Sequence, residues 1–335
     1  MRTLITGGCG FIGFALAKKL FGNLKGGDEI ILLDNLHRHG LSDEIQDFVS
    51  LPKVKHLNID ISGHEIPDEL SIPFNRVYHL AAIVGVGPVT DNPAHVLRSN
   101  TVSTLNIFEA FERNAVDGAR LLFSSSSEIY SGLNLMGYDL PIPTPEKVPA
   151  VISNLDHPRF SYALSKMWGE AYAKYISRKD NMHLSSVRYH NVYGPGMGFD
   201  HVVPQIISRI LSKEDPFKII GAEQTRSFCW VEDAAEATRL IMESEKNEPG
   251  TSVHIGDQDG ETKIGNVYEM LFDLCGWKPG KTEKVESPTG SVSRRCPDTT
   301  LMQSLTGYKP QVSLYDGLKK TVEWYKMRLM NIEDN

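Results

Sequence analysis

The stretch TGGCGFIG, residues 6 to 13, constrains the fold more than any other part of this chain. It sets Gly7, Gly10 and Gly13 three apart, between the apolar run RTLITG (2–7) and FIGFALAKKLFGNL (11–24), whose apolar residues recur at helical spacing. Glycine at such a junction permits a tight turn, a close approach of backbone to pyrophosphate, and close packing of helix on strand. The helix N-terminus behind it suits phosphate. A second apolar run, EIILLDN (29–35), ends in Asp34, about 20 residues beyond the glycines. A lone glycine triplet would mean little. Strand, glycine turn, helix, strand and acid in that order are the fingerprint of a dinucleotide site. Asp34 can accept hydrogen bonds from the adenosine ribose and would repel a 2′-phosphate, so NAD is expected rather than NADP. Arg38 lies close by and argues the other way.

The alternation continues. VKHLNID (54–60), RVYHLAA (76–82), ARLLFSS (119–125) and LSSVRYHNVYG (184–194) read as strands. STLNIFEAFERNA (103–115) and SYALSKMWGEAYAKYISRKD (161–180) read as helices. This pattern predicts an α/β fold of the Rossmann type, a doubly wound parallel sheet, over residues 1–194. Past Gly194 the chain is richer in Pro and Gly loops, with short helices expected near 204–213, 232–245 and 264–275 and an amphipathic one at the end. Residues 195–335 are therefore expected to form a smaller C-terminal substrate-binding lobe, interleaved with the first.

Net charge of −7 and a pI near 5.9 argue against a nucleic-acid partner, but not against a small anionic ligand in a locally basic site. The four cysteines are scattered, with no pair at metal or redox spacing, as expected of a reducing, cytoplasmic setting and of a protein without a metal site. No leader pattern and no apolar run near ~18 residues is present, so no membrane association is expected.

YALSK places Tyr162 and Lys166 four apart, hence on one helix face. A neighbouring ammonium favours a phenolate, which makes Tyr162 a candidate base for an alcohol proton. Upstream, LLFSSSSEIYS (121–131) poses a puzzle, because buried hydroxyls cost free energy unless hydrogen-bonded. Four serines and Glu128 at a strand end read better as the edge of an active site. Asp60 closes the third strand, where a side chain could reach adenine or cap a turn.

Taken with HLAA (79–82), RYHNVYGP (188–195) and RRCPD (294–298), these motifs resemble an extended short-chain dehydrogenase/reductase of the nucleotide-sugar epimerase/dehydratase branch, over nearly the whole chain. The resemblance implies NAD held by Gly7, Gly10, Phe11, Ile12, Gly13, Asp34, Asn35, Asp60, Ile61, Leu80, Ala81, Ala82, Tyr162 and Lys166. It implies a nucleotide-diphosphate sugar bound by Ser126, Asn191, Val203, Arg226, Arg295 and Asp298, with arginine suited to phosphate by its planar fork. Arg294 reads equally as a surface ion pair. The expected first step is oxidation of the sugar at C4, with Ser126 on the reacting hydroxyl and Tyr162 as base.

The resemblance leaves the later step open. Ser126-Ser127-Glu128 is close to the Thr-Ser-Glu triplet of 4,6-dehydratases, which makes Ser127 a weak acid or relay, Glu128 the C5 base and dehydration the leading expectation. UDP-glucuronate-type decarboxylases carry a similar triplet, and QTRSFCWVED (224–233) looks decarboxylase-like. 4-Epimerisation, net 4-dehydrogenation and a non-enzymatic dinucleotide sensor are the other readings. A structural Glu128, bonded to nearby backbone or to an arginine, is the bland one. His190 is expected to be a packing neighbour of the substrate loop, His37 and His39 to face solvent, and His201 to line the substrate entrance. Relatives often pair through two helices, so a homodimer is expected.

Overall fold

The computed structural model describes residues 1–38, 40–179, 182–199, 201–287 and 291–333. Seven strands form one parallel sheet: β1 Arg2–Thr6, β2 Glu29–Leu33, β3 Val54–Leu57, β4 Phe74–His79, β5 Ala115–Ser126, β6 His183–Tyr189 and β7 Ser252–Ile255. Their spatial order is β7-β6-β5-β4-β1-β2-β3. The chain winds outward one way from β1 and the other way from β4, and ligands of such sheets bind at that switch, beyond the carboxyl ends of the strands. The strands are near-continuous apolar runs because both faces are covered. In β2, Ile30 and Leu32 enter one core layer while Ile31 and Leu33 enter the other.

Four helices matter for the site: α1 Phe11–Phe21, α2 Pro93–Asn114, α3 Arg159–Ile176 and α4 Val231–Glu243. α1 packs on α4, and α2 packs on α3. The expected helix at 103–115 begins ten residues earlier, at Pro93. Asn92 accepts from the His95 amide at 3.3 Å and proline opens the first turn, a start signal that the polar sequence of those early turns obscured. The third strand stops at Leu57, three residues short of Asp60.

β7 was not expected. It comes from the second half of the chain and pairs in parallel with β6, with Ser252 opposite Ser186. The same half contributes a three-stranded sheet in which Thr225–Ser227 lies between Glu261–Lys263 and Arg294–Arg295. In that sheet Arg295 pairs with Arg226. Two arginines far apart in sequence thereby become neighbours.

Candidate active site

The glycine turn is built as the motif requires. Gly7 has φ +67°, and a Cβ there would lie 2.9 Å from the Ala81 amide nitrogen. A Cβ on Gly13 would run into the Gly7 carbonyl oxygen, so α1 sits directly on the turn. Gly10 caps α1 without a side-chain bond, and the first turn carries no acid, which leaves that helix end ready for an anion. Phe11 and Ile12 of that turn pack against the core.

Asp34 accepts from the Cys9 amide at 3.1 Å through one oxygen and from Leu36 at 2.9 Å through the other, so each retains a lone pair for a ribose hydroxyl. The Arg38 guanidinium lies against Gly198. Asp60 accepts from the Ser62 amide and hydroxyl at 2.8 and 2.7 Å. Those bonds, with help from the Asn35 side chain, hold its carboxyl below the ordinary range against the effect of burial. It caps a turn, whatever else it contacts. Ile61 is buried in the core. Leu80 and Ala81 donate to the Thr6 carbonyl and hydroxyl at 3.1 and 3.2 Å, and Asn100 pins Ile83, next to Ala82, through both its amide groups. The residues present fit a dinucleotide.

Ser126 ends β5 at the carboxyl edge of the sheet. Its hydroxyl accepts from the Glu128 amide at 3.2 Å and is hydrogen-bonded to Tyr162. Lys166, buried one turn along α3, donates to Ser124 at 3.4 Å and stands 5.0 Å from the centre of the Phe123 ring and 5.6 Å from that of Tyr162. Burial draws Lys166 down to about 7, opposed by Glu170. Burial pushes the Tyr162 phenol up; the Ser126 bond opposes this and the Glu128 charge adds to it. Lys166 thus stands beside the Tyr162 ring, with burial and the Glu170 charge acting on its own protonation in opposite directions.

Glu128 follows on a short turn of helix, Ser127–Tyr130, and is held from three sides. Arg295 meets one oxygen at 2.7 Å, Arg159 meets the other at 2.8 Å, and Ser131 donates to the latter at 3.0 Å. Burial alone would raise this carboxyl, but Arg295 and then Arg159 outweigh it and hold Glu128 well below the usual carboxylate range. Arg295 also reaches the Ser127 hydroxyl at 3.4 Å. Arg226, on the adjoining strand, gives its described bonds to neutral oxygens of Thr225 and Gln224, and burial beside Arg295 draws it down to about 10. Arg294 instead pairs with Glu261 at 2.8 Å and is half-exposed. Asn191 adopts φ +39° and donates to the Ser227 carbonyl. Val203 is buried in the core, and the Asp298 carboxylate caps Thr300 at 2.8 Å, so neither side chain joins the arginine cluster. His39 lies outside the described residues.

Three features escaped the sequence reading. Arg159 is one; a cation in the first turn of a helix is disfavoured by the dipole, and that anomaly was the available signal. The second is Thr6–His79–Thr104, a buried chain at 2.7 and 3.1 Å that orients the Thr6 hydroxyl under Ala81; burial draws His79 down to about 3. The third links α3 to the turn after β5. Glu170 pairs with Arg188 at 2.6 Å, Arg188 donates to the Tyr130 hydroxyl, and Tyr130 donates to His254 Nε2 at 2.9 Å. His254 Nδ1 donates to the Asp298 carbonyl at 3.1 Å, which fixes one neutral tautomer.

A family model described as the NAD dependent epimerase/dehydratase family matches residues 3–256, most of the chain. The chain belongs to this family. UDP-glucuronic acid decarboxylase 5 of Arabidopsis thaliana is 30% identical over 332 residues, 98% of this chain and 90% of that one. The UDP-glucose 4-epimerase of Thermotoga maritima, solved with UDP-glucose, has a TM-score of 0.80 at 27% identity, over 98% of this chain and all of that one. MoeE5 in complex with UDP-glucuronic acid and NAD has a TM-score of 0.79 at 25% identity, with the same coverage. The protein is thus a member of an NAD-dependent family of nucleotide-sugar epimerases, dehydratases and decarboxylases, on a Rossmann-type fold. Among the described residues no helix is long and apolar enough to cross a membrane, and no cluster of potential metal ligands occurs.

Proposed function

We propose that this family member acts on a nucleotide-linked uronic acid, oxidising C4 and releasing the C5 carboxyl group as CO₂. The observation that carries the reading is Glu128 held between Arg159 and Arg295, beside Ser127, with Arg226 on the adjoining strand. Two guanidinium groups on one carboxylate leave one positive charge two residues from Ser126, and Arg226 on the adjoining strand adds a second. Such a site suits an anionic sugar better than a neutral one. Arg295 touches the Ser127–Glu128 segment, next to the reacting hydroxyl, so we assign it to the sugar acid instead of the diphosphate expected from the resemblance. Arg226 keeps the diphosphate assignment.

Dehydration, the leading expectation from the triplet, needs Glu128 to take a proton from C5. A carboxylate surrounded by donors and held well below its ordinary range is a poor base. The relatives named for UDP-glucuronic acid support the uronate reading.

NAD held at Gly7, Gly10, Gly13 and Asp34 would supply the hydride acceptor for C4 and the hydride that restores it. Ser126 orients the C4 hydroxyl, and Tyr162 takes its proton. The resulting ketone is β to the carboxylate. The C5–carboxylate bond breaks, its electron pair passes to the C4 oxygen, and CO₂ leaves; a proton then reaches C5, and C4 is reduced. Glu128 assists by repelling the substrate carboxylate, a repulsion that disappears as neutral CO₂ forms. The test is to incubate the protein and NAD with UDP-glucuronate and, in parallel, UDP-glucose, and to read product masses. Loss of CO₂ from UDP-glucuronate is expected. Unchanged mass with inverted C4 would make it a uronate 4-epimerase, and loss of water from UDP-glucose would restore the dehydratase.

A further inference from the structure

A chain of hydrogen bonds runs behind the Glu128 clamp, and the proposed reaction makes no use of it. It starts on α3. Glu170, one turn beyond Lys166, is bound by the Arg188 guanidinium at 2.6 and 2.8 Å. Arg188 of β6 stands opposite His254 of β7 in the sheet register. It also donates to the Glu146 carbonyl at 2.8 Å and to the Tyr130 hydroxyl at 2.5 Å. Tyr130 meets His254 Nε2 at 2.9 Å, and His254 Nδ1 meets the Asp298 carbonyl at 3.1 Å. Tyr130, Arg188 and His254 are all buried. Each link allows one direction only, because a guanidinium cannot accept and a carbonyl cannot donate. Tyr130 therefore accepts from Arg188 and donates to His254, which donates to Asp298. Burial pushes the Tyr130 phenol up, so that its proton stays available. His190, 1% exposed and with no hydrogen-bond partner for either ring nitrogen among the described residues, packs edge-on to His254 at 4.6 Å and holds that ring in place.

The chain joins the same two segments as the clamp. Tyr130 closes the short turn of helix that carries Glu128, and Asp298 lies three residues beyond Arg295. The Glu128–Arg295 pair at 2.7 Å is one rung between those segments, and Tyr130–His254–Asp298 is a second. One rung leaves the turn free to rock about the ion pair; two fix its angle. Arg188 and Glu170 tie both rungs to the helix that carries Tyr162. We propose that Tyr130 is a positioning residue: its hydroxyl holds the Ser127–Tyr130 turn, and Glu128 with it, at a fixed angle to Arg295 and to Tyr162. This deepens the uronate reading and rests on it. The repulsion between Glu128 and a substrate carboxylate depends on where Glu128 points, so a rocking turn would still bind substrate but lose rate. A misplacement of about 1 Å can cost ~10²-fold even when the change lies away from the reacting atoms. The diphosphate contact assigned to Arg226 is on another strand and does not depend on Tyr130.

The test measures kcat and KM for CO₂ release from UDP-glucuronate by the NAD-loaded protein, for wild type, Tyr130→Phe, Glu128→Gln and the double variant, with UDP affinity by isothermal titration. Phenylalanine removes one oxygen and leaves Arg188 paired with Glu170. A wild type that releases no CO₂ would remove the uronate reading, and this inference with it. Given that release, Tyr130→Phe should lower kcat about ten-fold, with KM and UDP affinity unchanged. In the Glu128→Gln background the same change should have little further effect, because a residue that acts through another is not additive with it. Wild-type kcat in Tyr130→Phe, or an equal loss in both backgrounds, would leave the uronate reading standing and overturn the role of Tyr130. A fall in UDP affinity as large as the fall in kcat would also overturn it, as a general loosening of the site. His254→Gln keeps an acceptor for Tyr130 but loses the donor to Asp298, so it cuts the second rung one link further on. It should show the same loss of kcat and the same dependence on Glu128, and it carries the test if Tyr130→Phe fails to fold; full activity in it would overturn the second rung.

Discussion

Replacing Glu128 with glutamine separates a clamp from a base. The Glu128 side chain is 21% exposed, with Arg295 at 14% and Arg159 at 26%, so the cluster is mostly but not wholly desolvated. Glutamine keeps the volume and one acceptor oxygen, but turns an NH₂ group toward the other guanidinium. Removing one member of a fully buried ion pair costs about 3–5 kcal/mol. Partial exposure and the surviving acceptor reduce that to about 2–3 kcal/mol here. Urea titration should therefore show a lower midpoint with an unchanged slope. The pH dependence has a definite sign. Glu128 is held below its ordinary value near 4.5, so its contribution is complete above that pH and is lost as pH falls below it. The stability gap between wild type and variant should be flat above pH 4.5 and close below it. With UDP-glucuronate, the variant should bind more tightly, because a repulsion is gone, and turn over more slowly. A variant as stable as wild type, which builds up NADH from UDP-glucose without losing water, would refute this reasoning and make Glu128 a free base.

Tyr162→Phe should preserve the fold and substrate affinity while slowing NADH formation in single turnover by ~10²–10⁴, the usual effect of removing a general base; wild-type speed would reassign the base. Gly13→Ala should abolish NAD binding and lower the thermal midpoint, since the new methyl meets the Gly7 carbonyl oxygen; fluorescence titration with NADH checks it. His79, His190 and His254 are buried as neutral rings, the first and last drawn down to about 3, so the unfolded chain binds more protons than the folded one below the ordinary histidine value near 6.5. Stability should fall as pH drops from 6.5 toward 5, because these rings take up protons on unfolding, measurable from denaturation midpoints across that window.

The parts that could be read from the sequence are those in which neighbouring residues do the work. Gly7, Gly10 and Gly13 lie within one turn, and their demand for close backbone contact is local. Asp34 follows one helix later at the end of a strand. Tyr162 and Lys166 share a helix face by spacing alone, and the alternation of strands and helices is written in apolar periodicity. Assembly across the chain was not legible. β7 joins the sheet only because β6 offers an edge, and nothing in SVHI distinguishes that partner from another. Glu128 and Arg295 are 167 residues apart, and Arg226 meets Arg295 only through the register of a three-stranded sheet. The character of Glu128 depended on that meeting. In the sequence it stands in a triplet that suits a base; in the fold two guanidinium groups claim both its oxygens. Its basicity is a property of its electrostatic surroundings, and those are set by tertiary contacts, as is the difference between a satisfied His254 and an orphaned His190.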